Sequence, residues 1–217
     1  MTAGTAMSAR WLTSLSAPRG TALSVEGAAV AIAAISMVAA SMIVVPGWRG
    51  LAGAGLGCLM IGIAAVDARR FIIPDEFSAA AFVLGLVDAA LEFPDAPGTA
   101  AATAALRGIV TALALFGLWA AYRRLRGREG IGLGDVKLAG VAGAWLDWPS
   151  IPLAFELAAL AALTALLARW LVSGRSIRAT TKLPFGLFLA PAIWAAWLGE
   201  TLLPQILSAL DSRWSQW

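Results

Sequence analysis

The sequence predicts an all-α fold: a polytopic transmembrane helix bundle of about seven spans. Three observations predict it. The 217-residue chain is 60% hydrophobic and only 13% charged, with a mean hydropathy of +0.81, far more apolar than an ordinary soluble domain. Its apolar residues fall into successive segments near the roughly 20 residues that a helix needs to cross a bilayer. Its Lys and Arg residues concentrate in alternate connections, as the positive-inside rule requires of a membrane bundle.

The opening stretch, residues 1–21, is polar and carries Arg10 and Arg19; it reads as a cytoplasmic N-terminal segment. The apolar run from about Ala22 to Val45 exceeds a secretory h-region, so a retained first span is expected, ended by Pro46 and Gly47. Further segments run approximately from Gly50 to Asp67, Glu76 to Leu91, Thr99 to Tyr122, Gly132 to Trp148, Ile151 to Val172 and Phe185 to Ile206. The third and fifth are marginal in length. Residues 22–206 then form one transmembrane domain and 207–217 a C-terminal tail.

Arg10 and Arg19, Arg69 and Arg70, Arg123, Arg124, Arg126 and Arg128, and finally Arg175, Arg178 and Lys182 fall in alternate connections. The other loops hold Arg49, Glu92, Asp95, Asp147 and Pro149. This places the N-terminus inside and the C-terminus outside. The net charge of +3 is accounted for by topology, with no nucleic-acid partner implied; the partner is the lipid bilayer. Gly53 with Gly57, and Ala139 with Gly143, are small-residue pairs suited to close helix contacts. Tryptophans near span ends, among them Trp145, Trp148, Trp194, Trp214 and Trp217, suit interfacial anchoring.

Composition also excludes chemistry. The chain has no histidine and a single cysteine, Cys58, so imidazole-dependent dyads and HExxH zinc sites are ruled out, and Cys58 has no second cysteine in the chain for a disulfide or a Cys-rich zinc site. Cys58 reads as a packing residue, and no metal or cofactor is implied. Any acid-base work must come from Asp, Glu, Lys or Tyr122. Ionisable groups in or beside the spans are Glu26, Asp67, Glu76, Asp88, Arg107, Asp135, Lys137, Glu156 and Glu200, and such groups are kept in membranes chiefly for function or for a specific partner.

Two of them stand apart. Asp67 closes an apolar segment in IGIAAVDARRFIIPDEF, and Asp135 opens another in GIGLGDVKLAGVAGAWLDW. Two intervening spans return the chain to the same side, so the carboxylates are free to meet. Neighbouring carboxylates share a proton and titrate as a unit, which equips one to take a proton from water while the other polarises a carbonyl. The bland alternative is a helix-end charge near Arg70 and a first-turn carboxylate favoured by the helix dipole. Gly130, Gly132 and Gly134 permit close approach of another chain, or simply make a flexible connection. Lys137 either stabilises charge near the pair or sits at the interface.

Taken together, these motifs resemble the type IV prepilin peptidase family of GxGD aspartyl proteases. Asp67 with Ile73, Pro74 and Asp75 resembles its first motif. Gly132, Gly134, Asp135, Lys137 and Leu138, with Gly143 and Trp145, resemble its GxGDxKL motif; Lys182, Leu183, Pro184, Phe185 and Gly186 resemble its late PFG segment. Many relatives have a second proline where this chain has Leu187. The resemblance implies a membrane endopeptidase domain over residues 22–206, in the bacterial inner membrane, with its active site near the cytoplasmic face. Asp67 and Asp135 would be its catalytic pair. Pro74, Asp75, Gly132, Gly134, Lys137, Pro184, Phe185 and Gly186 would shape the site or the substrate path. The partner would be the N-terminal leader and helix of a prepilin or pseudopilin. With no CxxC-bearing segment ahead of Asp67, the chain is similar to peptidase-only forms serving tight-adherence or Flp pili, and N-methyltransferase activity is not expected. Archaeal preflagellin peptidases share the dyad. A proton-coupled transporter or channel remains the alternative from another class, disfavoured by the lack of an internal repeat; an inactive assembly factor ranks last. Nothing in the sequence indicates an oligomeric state.

Overall fold

The computed structural model describes residues 25–127, 132–173 and 183–214. Gly130, Arg128, Arg175, Arg178 and Lys182, together with residues 1–21 and Trp217, lie outside the described residues. The chain forms seven helices: α1 (Val25–Val44), α2 (Trp48–Arg70), α3 (Asp75–Glu92), α4 (Pro97–Arg126), α5 (Leu133–Trp145), α6 (Ser150–Ser173) and α7 (Gly186–Trp214). No strand occurs among the described residues. Each helix coincides with one apolar segment of the sequence, and α7 continues past Ile206 to Trp214.

Five helices, α1, α2, α4, α6 and α7, are long and apolar enough to cross a membrane. The other two fail for different physical reasons. The 18 residues of α3 carry Asp75, Glu76, Asp88 and Glu92, too many acids for a lipid-facing span. The 13 residues of α5 rise about 20 Å at 1.5 Å per residue, short of a hydrocarbon core of roughly 30 Å. Helix α5 is nevertheless the most enclosed element: Asp135 and the whole run from Leu138 to Trp145 are buried. The bundle is apolar on its outside, where Ile35, Ile43, Leu113, Leu125 and Val172 are exposed. A multi-pass membrane protein accounts for that distribution, because a lipid surface needs no polar cover.

Glycine controls how closely the helices meet. A Cβ on Gly143 would lie 2.6 Å from the Arg107 carbonyl oxygen and 2.7 Å from Gly108 Cα, and one on Gly108 would lie 2.8 Å from the Gly140 carbonyl oxygen. The backbones of α4 and α5 therefore touch, as the small-residue reading of Gly143 expects. Gly53 and Gly57 serve a different purpose: Gly53 receives the ring of Trp197, and Gly57 faces Met37 and Trp194.

Two expectations about surface residues are corrected. Trp145 is not an interfacial anchor; it is 7% exposed, donates its indole N–H to the Ala81 carbonyl at 2.8 Å and meets Trp197 edge-on at 6.1 Å. Trp194 likewise turns inward, donating to Ser41 Oγ at 3.0 Å, because a buried indole needs an acceptor. Trp148, in contrast, is exposed, as an anchor must be. Cys58 is exposed, pointing away from the core, because its position on α2 falls between the stripes taken by Leu56, Gly57 and Met60.

Candidate active site

Asp67 lies in the last turn of α2 and is 5% exposed. Its carbonyl accepts the amide of Phe71 at 3.0 Å, and Phe71 ends the helix in a left-handed conformation with φ 55°. Its side chain reaches the start of α7, where Oδ2 accepts the backbone amide of Leu187 at 3.0 Å, with the Gly186 amide as a further donor. The first amides of a helix have no partner within it and carry the positive end of its dipole. Asp67 thus caps a helix 120 positions later in sequence. Arg70, the partner in the bland reading, is exposed.

Asp135 is the third residue of α5 and is 8% exposed. Its Oδ2 accepts the backbone amide of Gly132 at 3.2 Å, while its own amide donates to the Gly132 carbonyl at 3.1 Å. A carboxylate in the first turn closes the N-terminus of its own helix in this way. Both aspartates are therefore oriented by backbone amides, one by a remote helix and one locally.

Helices α2 and α5 do not pack on each other; α3 and α7 touch both. The aspartates are joined through Ile73, which is buried. A Cβ on Gly134 would lie 2.9 Å from Ile73 Cδ1; one on Gly186 would lie 3.0 Å from the same atom and 2.8 Å from Asp67 Oδ2. Asp67, Gly186, Ile73, Gly134 and Asp135 thus form one continuous cluster.

The remaining predicted residues take definite places around that cluster. Pro74 precedes α3 in an extended conformation, and its carbonyl accepts both the amide and the hydroxyl of Ser78, at 3.2 and 3.1 Å. Asp75 forms an ion pair with Lys137, tying the segment after Asp67 to the segment after Asp135. Lys137 is exposed, so its partner is Asp75 rather than either buried aspartate. Pro184 and Phe185 are half-buried; the Phe185 carbonyl accepts the amides of Phe188 and Leu189 at 3.0 and 2.9 Å, opening α7. Sequence reasoning missed the amides of Gly186 and Leu187 as partners of Asp67, since a backbone donor has no side-chain signature.

Of the other charged candidates, Glu26 pairs with Arg69 at 3.1 Å and Glu156 is exposed. Asp88, Arg107 and Glu200 gather at the opposite end of the bundle.

The model of the type IV leader peptidase family matches residues 54–167, a stretch that contains Asp67, Pro74, Gly134 and Asp135. The chain belongs to the type IV leader peptidase family. A prepilin leader peptidase/N-methyltransferase of Aeromonas hydrophila is 32% identical over 168 residues, covering 77% of this chain and 56% of that protein. The protein of the same name from Aeromonas salmonicida (strain A449) is 30% identical over 181 residues, 82% of this chain and 60% of its own length. Leader peptidase HopD of Escherichia coli is 34% identical over 136 residues, 62% of this chain and 84% of HopD. The chain thus spans 56% and 60% of the two Aeromonas relatives. No solved structure matches it.

Proposed function

We propose that this member of the leader peptidase family is a membrane aspartyl endopeptidase that removes the N-terminal leader of type IV prepilins or pseudopilins, with Asp67 and Asp135 as its catalytic pair. One observation carries the reading: two buried carboxylates from different helices, each oriented by a backbone amide, belong to one cluster with the glycines at 134 and 186. Proton-coupled transport is not carried forward, because the family match is to leader peptidases.

In the proposed reaction a water molecule lies between the aspartates. The ionised carboxylate takes a proton from that water as its oxygen adds to the scissile carbonyl carbon, and the protonated partner gives its proton to the carbonyl oxygen. The tetrahedral diol then collapses: the C–N bond breaks, the first aspartate delivers its proton to the leaving amine, and the second recovers its own. Backbone amides on each Oδ2 hold both carboxylates in place, which spares the reorganisation that loose side chains would need. Gly134 and Gly186 let Ile73 and the Asp67 carboxylate pack directly against the backbones that open α5 and α7. The site faces the cytoplasm in this reading, in the bacterial inner membrane, and Flp-type pilins are the first substrates to try. The methyltransferase activity in the Aeromonas proteins' name is not part of the proposal.

Purified chain in detergent micelles, incubated with a Flp-type prepilin and analysed by mass spectrometry, tests this. The expected product is one cut between the leader and the hydrophobic helix. Absence of cleavage by helical, monodisperse protein across several prepilins would sink the proposal.

A further inference from the structure

At the end of the bundle opposite Asp67 and Asp135 lies a cavity of about 680 Å³, within the usual range for small-molecule sites. Its charged lining comes from Arg49 of α2, Asp88 and Glu92 of α3, Arg107 of α4, Asp147 after α5 and Glu200 of α7. Helices α4 and α7 both line it yet do not touch each other. The cavity therefore lies between two helices whose outer surfaces, at Leu106, Leu203 and Leu207, are exposed and apolar. The shortness of α5 explains the space: it ends at Trp145, level with Arg107, whose Nε donates to the Gly143 carbonyl at 3.0 Å, about 15 Å below the start of α4 at ten residues of helix.

The charges do not balance. Four carboxylates face two guanidinium groups. Arg107 pairs with Asp147 at 2.9 Å, and Arg49 pairs with Glu92 at 2.6 Å while standing 3.8 Å from Asp88 Oδ2. Glu200 accepts the Asp147 amide at 2.9 Å. Asp88 is 5% exposed, and its Oδ1 has no hydrogen-bond partner among the described residues; nor has the buried Nε of Arg49. A buried unmade hydrogen bond costs roughly 1–3 kcal/mol, more for a charged group. The Asp88 carboxylate and the Arg49 guanidinium thus both line a cavity with excess negative charge, and each is one hydrogen bond short. No group of three or more potential metal ligands occurs among the described residues, so the chemistry is that of a hydrogen-bonding cation rather than a metal ion.

We propose that this cavity binds the head group of a zwitterionic aminophospholipid. The ammonium N–H donates to the Asp88 carboxylate, and a phosphate oxygen accepts from the Arg49 guanidinium. The position between two lipid-facing helices selects a lipid over a soluble amine, with the acyl chains running along the apolar surfaces of α4 and α7. The proposal does not depend on the peptidase reading, since its measurement is lipid retention.

Native mass spectrometry of the full chain, titrated in micelles with phosphatidylethanolamine or with phosphatidylcholine, tests it. Phosphatidylcholine carries the same phosphate and charge, but its quaternary nitrogen has no N–H to donate. Phosphatidylethanolamine is expected to bind about tenfold more tightly, the worth of one charge-assisted hydrogen bond. Asp88→Ala, which removes the acceptor, abolishes that preference, and Glu156→Gln, on the exposed face of α6, leaves it intact. Equal affinity of the unmodified chain for the two lipids overturns the proposal, whether or not the Asp88 variant folds. Displacement of the lipid by micromolar free ethanolamine assigns the site to a soluble amine and overturns it equally.

Discussion

Replacing Gly186 with alanine places one methyl group against the carboxylate on which the proposed chemistry depends. The added Cβ would stand 2.8 Å from Asp67 Oδ2, 3.1 Å from its Cγ and 3.0 Å from Ile73 Cδ1. Ordinary carbon-oxygen contact begins several tenths of an ångström further out. The tip of Ile73 can rotate away, whereas Asp67 has little room, because its Oδ2 is held at 3.0 Å by the Leu187 amide and its backbone is fixed in α2. A shift of about 0.5 Å lengthens that hydrogen bond past its useful range and weakens an interaction worth about 1–3 kcal/mol when the acceptor is charged. Misplacement on this scale is expected to slow catalysis by about 10- to 100-fold. The assay is initial-rate cleavage of a purified prepilin by equal amounts of wild-type and Gly186→Ala protein, with thermal melting in the same detergent. The account expects the rate to fall while the melting temperature moves by only a few degrees, about what 1 kcal/mol produces in a chain of this size. Cleavage at the wild-type rate would refute the reasoning, since it would mean that the geometry at Asp67 does not govern the reaction.

Other consequences concern the surroundings of the site and the packing of the bundle. The Lys137–Asp75 pair is solvent-exposed, so Lys137→Met is expected to change stability by less than about 1 kcal/mol but to lower the cleavage rate several-fold by untying the two motif segments. The charge-swapped double variant Lys137→Asp with Asp75→Lys should recover part of that loss, and kinetics on all three proteins check it. Gly143→Leu drives a side chain into the Arg107 and Gly108 backbone and is expected to destabilise the bundle by about 3 kcal/mol or more. Gly117→Ala, where nothing lies within 4 Å, should be neutral or stabilising by about 0.5–1 kcal/mol; denaturation of each variant in micelles reads both.

Much of the architecture was legible because lipid imposes simple rules. Pro46, Gly47, Pro74 and Pro97 punctuate apolar runs, and the helices begin and end within a few residues of those signals. Asp67 and Asp135 could be singled out because charges are rare in such a chain and because two further helices, α3 and α4, bring it back to the same end. Residues whose role depends on a distant partner were not legible. Asp67 is held by amides at 186 and 187, and no side-chain pattern announces a backbone donor. Lys137 finds Asp75, 62 positions earlier, where the sequence left it between the buried pair and the interface. Trp145 looked like a span-end anchor, yet α5 stops so far inside the bundle that its last residue lies in the core. The polar cavity at the opposite end was invisible for the same reason: Arg49, Asp88, Arg107, Asp147 and Glu200 come from separate helices and loops and gather only once α5 is seen to be short.

The most direct test of the central claim uses the two aspartates one at a time. Asp67→Asn and Asp135→Asn keep the side-chain shape but cannot share or relay a proton as a carboxyl pair does. Each is co-expressed with the cognate prepilin, and the leader is followed by immunoblotting and mass spectrometry of membranes containing equal amounts of each protein. The account predicts that both variants leave the leader attached, with cleavage reduced by at least about 100-fold and the protein still folded in the membrane. Processing at the wild-type rate by either single variant would contradict the assignment of these two carboxylates as the catalytic pair.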